Sequence, residues 1–299
     1  MELAKKRSFV EKCRESETWS NYKKSKTAVI ASVMLALIVL IALIGPWFTA
    51  QNPYEIGGLN LTDAYKPPAW MEGGDSRFPL GTDQQGRCIL SSIVYGSRVS
   101  LFVGIVGVLL SGALGICLGL FAGCFGGAVD SLIMRIADIQ LSFPSMLVAL
   151  FLMSMLGRGI GNILVSIMLV GWVRYARTVR AETLSVKSME YVDAMRVVGL
   201  SNLRIAFKHI LPNVLTSIIV LSTIQVGSFI LLEASLSFLG LGVPIVRPSL
   251  GMLCSDGFKV LYSGLWWVSV FPGLYIVLIV FSINLLGDFL RDEFNPKLK

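Results

Sequence analysis

The raw material for chemistry in these 299 residues is thin: one histidine, five cysteines and 19 acidic residues. His209 has no nucleophile or acid at a spacing that would make a catalytic pair, and no Cys-x-x-Cys or Cys/His spacing would hold a metal. No G-x-x-x-x-G-K-[ST] loop is present to cradle a phosphate, so the chain cannot hydrolyse a nucleotide unaided. Cys117 and Cys124 lie in or beside an apolar run and read as small packing residues. Cys88 and Cys254 both fall in segments placed outside a membrane, which leaves a disulfide open, though no feature of the sequence brings them together. The groups that remain are ionisable or polar residues in or beside apolar runs, where function is the default hypothesis. Gln225, Glu233 and Ser237 are candidates for a pathway or gate. Glu233 either does such work or is simply hydrogen-bonded by Ser235 or Ser237. Arg135 and Asp138, at i and i+3, can pair near a membrane surface as anchors or as gate contacts.

The elements that position these groups are apolar helices. Hydrophobic residues make up 54% of the chain and charged residues 15%, in six long apolar runs. An all-α, polytopic membrane protein is expected. The net charge of +7 sits between the runs rather than on one face, so it reads as a topology signal and not as a nucleic-acid surface. Residues 1–27 form a basic cytoplasmic segment, and 28–48 the first span. A Gly-, Pro- and Asn-rich outside segment covers 49–98. The second span is Val99–Phe121, where Gly104, Gly107, Gly112, Gly115 and Gly119 give a face for close helix packing. After a link over 123–130, a third span starts near Ser131 and runs to Leu156 with a kink at Pro144. The fourth has only 159–173 free of charge, with Arg158 and Arg174 snorkelling at its ends. Arg174, Arg177 and Arg180 then lead into an inside loop over 181–212. The fifth span is 213–232. An outside segment covers 243–262, Trp266 and Trp267 sit at the outer interface, and the sixth span runs to Gly287 with a kink at Phe271-Pro272-Gly273. With both termini inside, 19 of the 26 Lys and Arg residues fall on the inner side.

The longest polar stretch between apolar runs in the second half, 181–213, holds two short amphipathic patterns. Tyr191, Ala194, Met195 and Val198 form one stripe, and Leu203, Ala206, Phe207 and Ile210 the other. Gly199 separates them at a C-cap position, Ser201 or Asn202 can cap the second helix, and Pro212 marks a break. Helices this short are marginal alone, so each stripe must be buried against something.

Asp193-Ala194-Met195, Gly199 and His209-Ile210-Leu211-Pro212 resemble the "EAA" loop of binding-protein-dependent ABC importer permeases, with Asp for the usual Glu and Met for the second Ala. The 233–242 run, 286–296 and the lead-in Pro79–Asp83 with Gly86-Arg87 are similar to peptide/nickel-type permeases, although Cys88 stands where that family usually has Asp. The resemblance covers about 79–296. It implies a type I ABC importer permease fold with six transmembrane helices, both termini in the cytoplasm, a core over 99–290, a re-entrant segment over 243–262 and a cytoplasmic tail over 291–299. It further implies that Tyr191, Asp193, Ala194, Met195, Val198, Gly199, Leu203, Phe207, His209, Leu211 and Pro212 couple the chain to an ATPase. The implied partners are a homologous second permease, two ATP-binding subunits that hold ATP and magnesium, an extracytoplasmic binding protein and the lipid bilayer. No cofactor is expected in this chain. Di- or oligopeptides are the expected cargo in a bacterial cytoplasmic membrane. Nickel or glutathione, or a stand-alone secondary transporter, are the alternatives.

Overall fold

In lipid, an uncharged run such as 28–48 can satisfy its backbone polar groups only by coiling. The computed structural model of the chain, which describes residues 17–244, 247 and 249–294, shows helix α2 over Lys26–Ile44. Ser25 caps it by accepting from the Ala28 N–H at 3.3 Å, and a 3-10 turn with Pro46 closes it. An additional short helix, α1 (Glu17–Lys24), lies in the polar flank where no structure was expected. Its Tyr22 meets Phe289 edge-on and its Asn21 amide donates to Glu293 at 3.0 Å. The start of α2 and the end of the last helix therefore lie at one end of the molecule, as both termini on one side would require. Lys5, Lys6, Arg7, Lys12, Arg14, Pro248, Asn295 and Pro296 lie outside the described residues.

Helix α3 spans Ile89–Phe125 and so starts ten residues before the expected second span. Ser91, Ser92 and Ser97 lie in that lead-in. They are buried in the helix, and Ser97 returns its hydroxyl to the Val94 carbonyl at 2.7 Å. A single residue, Gly126 (φ +66°), then separates α3 from α4, Gly127–Leu141. The third span is not a helix kinked at Pro144: α4 and α5 (Ser145–Leu156) meet at 91°. Proline has no N–H to continue the ladder and pushes Phe143 out of the helical region, which accounts for the corner. The corner is held by Gln140, whose amide donates to the Leu169 and Val170 carbonyls while its oxygen accepts from the Trp172 indole.

Those residues belong to α6, Ile160–Lys187, which joins directly to α7, Glu190–Val197. Helix α8 (Asn202–Ile205) follows, then a π-helical turn over Ala206–Ile210 and α9, Leu211–Phe238. Pro212 therefore does not break the chain. The Leu211 N–H bonds the Ala206 carbonyl, one residue further back than α-helical register, so the missing proline donor falls where the ladder has already shifted. Helix α10 (Leu250–Val260) lies in the expected re-entrant segment, against α9 and α11. Helix α11, Trp267–Phe294, continues through Pro272 and past Gly287.

Among the described residues, four helical stretches are long and apolar enough to cross a membrane: Lys26–Trp47, Ile89–Phe125, Asn202–Phe238 and Trp267–Phe294. The bent α4–α5 pair makes a fifth if it counts as one span. The expected fourth span lies in α6, whose 28 residues measure about 42 Å, but whose apolar part ends at Arg174.

The main core joins α3, α6 and α9, and the glycines of α3 let the backbones meet. A Cβ on Gly115 would lie 2.5 Å from the Trp172 carbonyl oxygen, and one on Gly119 would lie 2.6 Å from that of Ala176. Trp267 is not in an interfacial belt but in the second core, close to Gly81. Cys88, Cys117, Cys124 and Cys254 are all free. Cys117 is exposed, not packed.

Candidate functional site

Two regions concentrate the residues that sequence singled out. The first is the helix pair at the end of α6. Gly199, at φ +86°, ends α7 in a Schellman cap: its own N–H bonds the Arg196 carbonyl, and the Leu200 N–H bonds that of Met195. Ser201 then caps α8 by accepting from the Arg204 N–H. Lys187 fastens the junction from below, giving its ammonium to the carbonyls of Gly123 and Cys124 at the end of α3.

This pair buries one face and presents another. Val192, Ile205, Ala206 and Ile210 lie in the main core, with Met195 packed against it. Ile210 and Ala206 therefore serve the fold of this chain and not an outer surface. Tyr191, Ala194, Val198, Leu203 and Phe207 are exposed, and so is Val197, at 88%, which the helical spacing had passed over. Val198 is 78% exposed. Asp193 is exposed but pairs with Arg196 on its own helix at 2.9 Å. His209 and Leu211 are half-buried, and Pro212 is exposed. The Tyr191 hydroxyl accepts from Asn213 at 3.3 Å, linking α7 to the start of α9.

The second region is a cavity of about 340 Å³ between the α4–α5 corner, α6 and α9, lined by Gln140, Ser145, Arg174, Gln225, Ser228 and Ser235 among apolar residues. Gln225 reaches it and Glu233 and Ser237 do not. Glu233 is fully buried, its carboxyl accepting from Ser100 on α3 (2.9 Å) and from Ser237 (2.7 Å). Arg174 donates to the Gln225 oxygen at 2.9 Å. The two arginines after it pair with α4: Arg177 with Asp138, and Arg180 with Asp130 through two nitrogens. Asp138 thus takes Arg177 and not Arg135, which is exposed. The Arg180 hydrogen bond holds the Asp130 carboxyl below the usual carboxylate range. Sequence reasoning missed the α4–α6 pairs because the partners are 39 and 50 residues apart.

On the opposite end, the lead-in to α3 is a buried structural unit. Asp83 accepts from Arg87 Nε at 2.8 Å and from the backbone N–H groups of Gln85 and Arg87. Its role is to order the turn before α3.

Membrane-crossing helices around a polar cavity, with an apolar platform fixed at one end, define the membrane-embedded subunit of a transport system. The chain belongs to the family of binding-protein-dependent transport system inner membrane components, whose model matches residues 115–299. A second model, the N-terminal TM domain of oligopeptide transport permease C, matches residues 16–68. Among curated relatives, the dipeptide transport system permease protein DppC of Haemophilus influenzae is 38% identical, covering 97% of each chain. DppC of Escherichia coli K12 is 43% identical over 95% of this chain and 93% of its own. The oligopeptide transport system permease protein OppC of Bacillus subtilis is 38% identical, over 93% and 88% respectively. Among solved structures, an inward-facing conformation of the MetNI methionine ABC transporter has a TM-score of 0.55 at 19% identity. It covers 68% of this chain and 97% of that one, and supports the fold alone.

Proposed function

We propose that this chain is one of two homologous permease subunits of an ATP-driven importer of di- or oligopeptides in a bacterial cytoplasmic membrane. It pairs with a second permease, two ATPase subunits and an extracytoplasmic substrate-binding protein. ATP and magnesium belong to the ATPases, and this chain carries no catalytic group. The observation that carries the reading is the α7–α8 platform: apolar side chains left exposed on helices whose opposite face is locked into the core. Relatives named for dipeptide and oligopeptide transport supply the cargo class.

In this reading α7 and α8 sit in a groove of the ATPase, and closure of the ATPase dimer on ATP moves them as a rigid unit. The cavity then opens outward, and hydrolysis resets it. Full burial of one large apolar side chain is worth ~1.5–3 kcal/mol, so Tyr191, Val197, Val198, Leu203 and Phe207 suffice for a stable dock.

The test is co-purification of the chain with its partners after Val198→Asp plus Leu203→Asp. Both positions are exposed, so the fold should tolerate them. Losing two apolar contacts costs on the order of 2–4 kcal/mol, a drop in ATPase affinity of roughly 30- to 1,000-fold. The variant should keep the second permease and lose the ATPases. Retention of the ATPases, or their absence from the wild-type complex in several detergents, would refute the coupling role.

A further inference from the structure

The middle of α6 carries a guanidinium that no acid in the described chain neutralises. Arg174 lies fourteen residues after Ile160 and thirteen before Lys187, about 20 Å from either end of its helix. Gln225 occupies the matching place in α9, fourteen residues after Leu211 and thirteen before Phe238. The two meet near the middle of both helices, where the apolar part of α6 ends.

The three arginines of this face differ in one respect. Arg177 and Arg180 each have an aspartate of α4, whereas Arg174 has only the neutral Gln225 oxygen. Arg174 is exposed, Gln225 is buried, and both line the 340 Å³ cavity. No acidic residue lines that cavity. The nearby Glu233 turns to Ser100 and Ser237 instead. Gln225 therefore acts as an aiming partner: it holds one guanidinium nitrogen, leaving the remaining N–H donors of the fork for a ligand. A planar fork of N–H donors with a full positive charge matches a carboxylate, and the other polar residues of the mostly apolar lining are neutral hydroxyls and amides.

We propose that Arg174, aimed by Gln225, is a carboxylate-binding residue of the translocation path and takes the terminal carboxylate of a peptide in transit. The assignment rests on the importer reading above. One cation with a neutral orienting partner gives a hold that is selective for an anion yet single-point, which suits a site that must also let go. It also assigns the ligand's sign: among the described lining residues no carboxylate stands ready to pair with the peptide's ammonium group.

The experiment is ATP-dependent uptake by the complete transporter in proteoliposomes, with peptide saturating its binding protein, for wild type, Arg174→Lys and Arg174→Gln. Assembly is checked by co-purification of the second permease and ATPases. The expected result is at least a tenfold loss of uptake in Arg174→Gln and a threefold loss or less in Arg174→Lys, with the second permease and the ATPases still co-purifying. If wild type carries a C-terminally amidated peptide, its uptake by Arg174→Gln should match wild type. Uptake by Arg174→Gln within twofold of wild type would overturn the proposal, as would equal losses for free-acid and amidated peptide. Loss of the second permease from the Arg174→Gln complex would also overturn it, assigning the guanidinium to a carboxylate of that subunit. If wild type itself shows no ATP-dependent peptide uptake, the importer reading fails first and this assignment falls with it.

Discussion

Two glycines three residues apart on α3 make opposite predictions for the same substitution. A Cβ on Gly115 would stand 2.4 Å from Tyr175 Cβ, 2.5 Å from the Trp172 carbonyl oxygen and 3.0 Å from the Ala176 nitrogen. None of these is the end of a flexible side chain, so α3 and α6 must separate by about 1 Å to regain ordinary contact at ~3.5 Å. On Gly112 the same Cβ would meet only the Tyr175 ring, at 3.6 Å or more, which is ordinary contact already. Overpacking costs ~1–3 kcal/mol, and alanine recovers ~0.8–1.0 kcal/mol over glycine in a helix. Gly115→Ala should therefore destabilise by up to about 2 kcal/mol, and Gly112→Ala should be neutral or mildly stabilising. At ~2–4 °C per kcal/mol for a large domain, the two thermal midpoints should differ by several degrees in one detergent at one scan rate. Because Trp172, Tyr175 and Ala176 flank Arg174, Gly115→Ala should also slow uptake while Gly112→Ala does not. Equal midpoints for the two variants would refute the close-packed seam as the source of stability.

Two further expectations concern the segment before α3. Cys88 occupies the N-cap of α3 in extended conformation without a side-chain cap bond, and the Nη2 of the neighbouring Arg87 is buried without a partner. Cys88→Asp should supply the missing acceptor and raise stability by ~0.5–2 kcal/mol, read as a higher thermal midpoint; a lower midpoint would mean that burying the carboxylate costs more than the cap returns. The second expectation is acid sensitivity of 61–78: hydrogen bonds from Lys66 and Arg77 hold the Asp63 and Asp75 carboxyls below the usual carboxylate range. A lowered folded pKa means that the unfolded segment binds more protons, so this stabilisation is complete above the ordinary carboxylate pKa of ~3.9 and fades as pH falls further. Hydrogen exchange of 61–78, corrected for intrinsic rate, should be flat from pH 7 to 5 and rise below about pH 4. Asp75→Asn should already be loosened at pH 7, and equal protection in both proteins would refute the role of the cluster.

What was legible in the sequence followed from local rules. The 28–48 helix needed only its lack of charge, and the α7 boundary needed only a glycine where an αL cap belongs. The α3 glycine face could be read because small residues recur at helical spacing. The failures came where a long-range partner decided the outcome. Asp138 has Arg135 one turn away yet bonds Arg177, because the α4–α5 corner lays α4 along α6. Trp267 has the composition of an interface anchor, but the packing of the lead-in around Gly81 encloses it. Pro212 carries a breaker's signal, and a register shift one turn earlier removes the need for a break. Ile210 fits the amphipathic stripe as well as Phe207 does, and only the core behind α8 separates them.

The placement of Arg174 and the platform on one helix gives the two regions a mechanical relation. Helix α6 is continuous from Arg174 to Lys187, about 20 Å, and α7 starts three residues later after the extended Met189, so a displacement of the platform crosses one short joint and is then carried to Arg174 by an unbroken helix. Lys187 ties that helix to the end of α3, and the glycine seam ties it along its length. The Arg177 and Arg180 pairs add α4 to the same body. Gln225 belongs to α9, which reaches the platform by the other route, through the π-turn. The Arg174–Gln225 hydrogen bond thus joins the two arms that leave the platform. A motion that spreads α6 from α9 breaks this bond together with the Tyr175–Ser222 and Ser217–Glu182 hydrogen bonds, releasing the guanidinium from its aiming partner as the cavity changes shape. Binding and release of an anion at Arg174 are in this way tied to the same displacement that the ATPase drives.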